Sequence, residues 1–163
     1  MPAGDNEKLF RDCMKNKFGP DCLEGKRGKH RYTYTWPGFP EVEISVDDSI
    51  ILNDGRRVLI EVDSENQAKL LVGQYTLINL LLPCEEEKNN SLFLVVHYYR
   101  ASKSKKLYNR DRTLKNLNAI QHISADVDWM PFNAYNIEEF KKIVKKAESL
   151  EDLVSKVWPN NVN

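Results

Sequence analysis

The sequence predicts an α/β domain, a mixed sheet core flanked by helices. Three observations carry this. Residues 42–63 read as two strands joined by a tight turn, because alternating Val, Ile and Leu flank Asn53-Asp54-Gly55, and Asp-Gly supplies the positive φ that a short hairpin loop needs. SLFLVVHYY (91–99) is a continuous apolar run, as in a strand buried on both faces. Apolar stripes at helical spacing occupy 6–18, 68–82 and the segment after Asn136. A chain of 163 residues suits one domain, 1–163, with a full core.

Composition narrows the function classes. The 24 basic and 24 acidic residues cancel, so no global field draws the chain to nucleic acid, and any such binding must rest on local patches. Cys13, Cys22 and Cys84 are odd in number and form no CxxC pair. That argues against a disulfide framework or a zinc site, and for small buried hydrophobes in a reducing compartment. There is no signal-peptide pattern and no apolar run of membrane-spanning length, so a cytoplasmic location away from membranes is expected.

In order along the chain, Leu9, Phe10, Cys13, Met14 and Phe18 mark an amphipathic helix over 6–18, stopped by Gly19-Pro20. Glu7 borders its stripe. It either reaches a site beneath the helix or is a first-turn acid favoured by the helix dipole. GKRGKHRY (25–32) is a glycine-containing basic loop. Lys26, Arg27, Lys29 and Arg31 in it suit phosphate contacts, and a merely solvated loop is the alternative. Tyr32 and Tyr34 alternate as in a strand, and Pro37, Gly38 and Pro40 break the pattern. Aromatics beside a basic loop can stack on bases, although core packing is their commoner use.

The second strand of the hairpin, Arg57 to Asp63, is expected to be central. Ser64 with Gln67 reads as a capping box, opening a helix that runs to about Leu82 and is stopped by Pro83. Residues 84–90 read as a polar loop. His97 sits in the apolar strand, where a lone histidine is more often structural than catalytic. Lys103, Lys105, Lys106, Arg110 and Arg112 follow as a second basic stretch, within which a helix with Leu114, Leu117 and Ile120 begins. Val127–Met130 reads as a short last strand. Asn136 with Glu139 opens a C-terminal helix, and Ser149 with Asp152 recaps it.

The acids of the hairpin carry the functional reading. With Asp54-Gly55 as a two-residue loop, Asp48 faces Glu61, with Cβ atoms only about 5 Å apart. Asp63, two residues on, shares their face. Three carboxylates at one spot are stabilised by a divalent cation. A three-residue loop pairs Asp47 with Glu61 instead, so either aspartate could be the ligand. Parity also sets Asp48 in an apolar row with Val42, Ile44, Val46, Ile50 and Leu52, where an unpaired charge costs several kcal/mol. The alternative is that Asp48 and Asp63 simply mark strand ends.

The element order, with VDDSIIL holding Asp48 and VLIEVDS holding Glu61-Val62-Asp63 before a helix, resembles the PD-(D/E)XK nuclease superfamily, the restriction-endonuclease-like fold. Asp47 stands where that family has proline, and Asp63 where it usually has lysine. The resemblance implies a Mg²⁺- (or Mn²⁺-) dependent DNA endonuclease that hydrolyses phosphodiester bonds. Asp48, Glu61 and Asp63 would hold the metal, and Lys69 or Gln67 on the next helix would position the nucleophile or contact the phosphate. The basic stretches would carry the DNA backbone, and cleavage of two strands is met most simply by a homodimer. The acid in place of lysine keeps a second class open: a catalytically degenerate nuclease-like domain that binds nucleic acid or serves as an assembly subunit.

Overall fold

The structure is a computed structural model that describes residues 4–25, 31–35, 37–65, 67–82, 84–98 and 106–159. Helix α1 (Asp5–Phe18) comes first and ends at Gly19, whose φ of 95° lets its N–H return to the Lys15 carbonyl. Strands β1 (Arg31–Tyr34) and β2 (Val42–Ser45) form a separate antiparallel ribbon. Strands β3 (Asp48–Ile51), β4 (Arg57–Asp63), β5 (Ser91–His97) and β6 (Phe132–Asn136) form a four-stranded sheet in that spatial order. The β3–β4 pair is antiparallel and the other two are parallel, so the sheet is mixed. Helices α2 (Ala68–Leu81) and α3 (Glu85–Asn89) connect β4 to β5, and α4 (Asp111–Ile123) connects β5 to β6. Helices α5 (Ile137–Lys146) and α6 (Leu150–Val157) close the described chain.

Two cores lie on the two faces of this sheet. Val58, Ile60 and Val62 of β4, with Leu92, Leu94 and Val96 of β5, pack under α1, α5 and α6 through Phe10, Met14, Phe140, Val144 and Val154. The alternate residues Leu59, Phe93 and Val95 pack under α2 and α4 through Leu71, Tyr75, Ile78 and Leu117. Period-two alternation with both faces apolar is why β5 is buried at every position. Each large apolar side chain buried this way contributes about 1.5–3 kcal/mol. No described helix is long and apolar enough to cross a membrane.

Five expectations change. The run 42–52 is not one strand: it breaks at Val46 and Asp47 into β2 and β3, which belong to different sheets. Ile44 and Val46 therefore face the α2 side, whereas Ile50 and Leu52 face the α1 side. The hairpin loop has three residues: Leu52 N–H donates to the Arg56 carbonyl at 2.9 Å, and Gly55 takes φ 89°. Residues 84–90 contain a short helix, and the last strand is Phe132–Asn136 rather than 127–130. The helix after β4 is not capped by Ser64. Asp63 Oδ1 instead accepts the backbone N–H groups of Glu65 and Gln67, each at 3.2 Å. The capping box at Asn136 and Glu139 and the cap at Ser149 are as expected.

Candidate functional site

The three-residue loop decides which acids meet. Asp48 pairs with Ile60, not with Glu61, and shares the α1-facing side of β3 with Ile50. Asp47, in the bend just before β3, meets Glu61 through hydrogen bonds rather than as a ladder pair. Val62 N–H donates to Asp47 Oδ2 at 2.8 Å, and the Asp47 backbone N–H in turn bonds the Glu61 carboxylate. The expected cluster of Asp48, Glu61 and Asp63 thus does not form, because Asp48 and Glu61 lie on opposite faces of the sheet.

Asp48 is 1 % exposed and fully partnered. Arg11 Nε donates to its Oδ2 at 2.7 Å, and the Gly25 and Ser49 N–H groups donate to its Oδ1 at 3.0 Å. The same guanidinium donates to the Asp47 carbonyl at 2.9 Å. An acid in an apolar row is thereby paired rather than stranded. Its geometry fastens α1 and the segment ending at Gly25 to the start of β3.

Glu61 is buried, and burial pushes its carboxyl well above the usual range; the nearby Asp47 charge adds to this, and Glu7 contributes in the same direction. Gln74, from the middle of α2, donates its Nε2 to Glu61 Oε1 at 2.5 Å and to the Ser45 carbonyl at 2.9 Å. Sequence reasoning missed Gln74. Its signal is an amide among the apolar residues of α2, two turns beyond Gln67.

Asp63 lies directly across from His97. His97 Nδ1 donates to Asp63 Oδ2 at 2.7 Å, and Thr113 Oγ1 lies 3.0 Å from His97 Nε2. A carboxylate only accepts, so the ring proton sits on Nδ1 and Nε2 accepts the threonine hydroxyl in the neutral ring. Burial raises the Asp63 carboxyl, but the His97 bond and the N–H groups of Gln67 and Glu65 outweigh it and hold it below the usual range. Both Asp63 oxygens are therefore taken by the fold.

The helical candidates also fall outside the site. Gln67 places its side chain on Glu65 at 2.7 Å. Lys69 is exposed; five residues from Gln74, it lies roughly 140° around α2 at 3.6 residues per turn. Of the basic candidates, Lys26, Arg27, Lys29, Lys103 and Lys105 lie outside the described residues. Arg31 pairs with Glu43 at 3.0 Å on the exposed ribbon. Arg110 donates to the Ala134 carbonyl at 2.9 Å and covers the Tyr135 ring, while Lys106 and Arg112 are exposed.

Among the described residues, no group of three or more His, Cys, Asp or Glu side chains is placed to hold a metal ion. What the fold brings together is a pair, Asp47 and Glu61, with Glu7 near enough to repel the second. Two carboxylates fit Mg²⁺, which keeps several waters and is commonly held by one or two acids together with substrate phosphates. They do not make an all-protein cage. Compared with known proteins, the chain matches no family model, no curated protein and no solved structure.

Proposed function

We propose that the chain is a Mg²⁺- or Mn²⁺-dependent DNA endonuclease of the restriction-endonuclease-like kind, with Asp47 and Glu61 as its metal-binding pair. One observation carries the reading: a buried glutamate, its proton affinity already raised, sits beside a second acid, Asp47, whose backbone N–H bonds the Glu61 carboxylate and whose side chain accepts from Val62 N–H. A fold retains such repulsion at a cost unless a cation or a proton relieves it. The mixed sheet with helices on both faces is the architecture that the resemblance implies.

The residues divide the work. Asp47 and Glu61 would hold the ion, which would supply the positive charge that offsets charge developing on the phosphoryl group. Gln74 fixes the rotamer of Glu61. Arg11, held by Asp48, fixes the Asp47 main chain. Arg31, Arg110 and Arg112, with Lys26, Arg27, Lys29, Lys103, Lys105 and Lys106, would contact the DNA backbone. Asp63 is assigned to the fold and not to the metal.

The second reading is a nuclease-like domain without catalysis, a nucleic-acid-binding or assembly subunit. It is favoured by one observation: the place of the usual lysine is held by Asp63 and closed by His97, and Lys69 does not replace it. Cleavage of plasmid DNA by the purified protein with Mg²⁺ or Mn²⁺ separates the two. Cleavage lost in Asp47→Ala and in Glu61→Ala, with fold retained, supports the enzyme. Tight DNA binding with no cleavage by the natural sequence moves the assignment to the second reading.

A further inference from the structure

Helix α2 is apolar on two opposite sides. Ala68, Leu71, Tyr75 and Ile78 are buried, while Leu70, Leu77 and Leu80 are 62 %, 43 % and 63 % exposed. Gly73 completes the outer row. The positions 70, 73, 77 and 80 alternate by three and four, the narrow seam by which one helix packs on another. A Cβ added at Gly73 meets nothing within 4 Å. Packing among the described residues thus gives no reason for glycine, a poor helix former, at mid-helix. Close approach by a second helix does.

We propose that this row is a self-association surface, on which α2 of one copy packs antiparallel against α2 of a second copy. The row is palindromic. Turned about a twofold axis at the level of residue 75, Leu70 meets Leu80 of the second copy, and Gly73 meets Leu77 of the second copy. A large side chain faces the absent one at each inner contact, so the two helices interlock. The helix is ~21 Å long at 1.5 Å per residue, enough for all four layers.

Charge selects both the orientation and the partner. Helix α2 has no acid in its first turn and no base in its last. Its one charged residue, Lys69, stands at the N-terminal end, where the dipole disfavours a cation. Antiparallel pairing brings Lys69 to the C-terminal end of the other α2, which leads into the exposed Glu85, Glu86 and Glu87. A parallel pair would set Lys69 against its own copy. The contact is isologous and closes at two chains. It stands on this geometry alone and holds whether or not the chain cleaves DNA.

The test is the mass of the full chain by sedimentation, up to about 100 µM, where micromolar interfaces are populated. The natural sequence is expected to be a dimer, and Leu77→Arg with Leu80→Arg a monomer of unchanged circular dichroism, since both sites are exposed in one chain; melting of the natural sequence should rise with concentration and that of the variant should not. Gly73→Leu should weaken dimerisation at least about tenfold by overpacking the seam while keeping α2 helical. Lys69→Glu should weaken it too, and Glu85→Lys, Glu86→Lys and Glu87→Lys added to Lys69→Glu should restore it. A monomeric natural sequence over that range overturns the proposal. So does a dimer that survives the double arginine variant, or one that Gly73→Leu tightens.

Discussion

Asp63 Oδ2 and His97 Nδ1 lie 2.7 Å apart at the paired ends of β4 and β5, and Thr113 closes the far side of the ring. The three side chains tie β4, β5 and α4 together, with His97 and Thr113 fully buried. Asp63 also receives the first N–H groups of the turn into α2. The acid at this place is thus explained by hydrogen bonding within the fold.

Asp63→Asn should therefore lower stability by about 2 kcal/mol, the scale of a hydrogen bond to a charged group, and leave divalent affinity nearly unchanged. Urea melts and calorimetric titration check the two halves separately. The sign with pH follows from a carboxyl held below its ordinary value of 3.8. Its contribution is fully present above that value and is lost as pH falls through the lower folded value. The gap between natural and variant proteins should accordingly shrink under acid. A large loss of Mg²⁺ binding in Asp63→Asn would restore Asp63 to the metal set.

Glu61 has the opposite sign. Its folded carboxyl titrates above its ordinary value of 4.5, first because of burial and then because of Asp47. Stability from the protonated group is present below 4.5 and is lost as pH rises through the folded value. Under mildly alkaline conditions without divalent ions, Glu61→Gln should raise the melting temperature. The rise should be about 2–4 °C if roughly 1 kcal/mol of strain is relieved. Added Mg²⁺ should then stabilise the natural sequence and not the variant. Equal responses to Mg²⁺ in thermal melts would remove Glu61 as a ligand.

Asp48 and Asp47 adjoin in sequence and should differ sharply in kind. Asp48→Ala leaves Arg11 facing a buried cavity and is expected to cost about 3 kcal/mol, the lower end for a broken buried pair, because Arg11 keeps some solvent. Asp47→Ala should cost less stability and lose divalent binding. Denaturant melts paired with titration would show a reversal of this order if Asp48 were the ligand.

Replacing Lys26, Arg27 and Lys29 together by alanine should weaken DNA binding and flatten its salt dependence. The log–log slope should fall by roughly 0.9 for each phosphate that the variant no longer neutralises. Affinity measured across a salt series reads this directly. An unchanged slope would mean that this segment does not touch the backbone.

The sequence by itself determined the elements whose signals are local. The stripe of Phe10 and Met14, the apolar run of β5, the Asn136–Glu139 box and the Asp-Gly turn each depend on neighbours a few residues away. All four appear in the structure, as does the mixed sheet flanked by helices. The choice between Asp47 and Asp48 stayed open at that level, because it rests on one residue of loop length and a strand has period two. Only the tertiary structure decided it, by the Leu52–Arg56 closure and by the break at Val46 and Asp47 that sends β2 and β3 to different sheets. The bonds from Gln74 to Glu61, from Arg11 to Asp48 and from His97 to Asp63 span 13, 37 and 34 residues. No local pattern encodes them, because each partner is supplied by whichever helix or strand the packing of the two cores brings alongside.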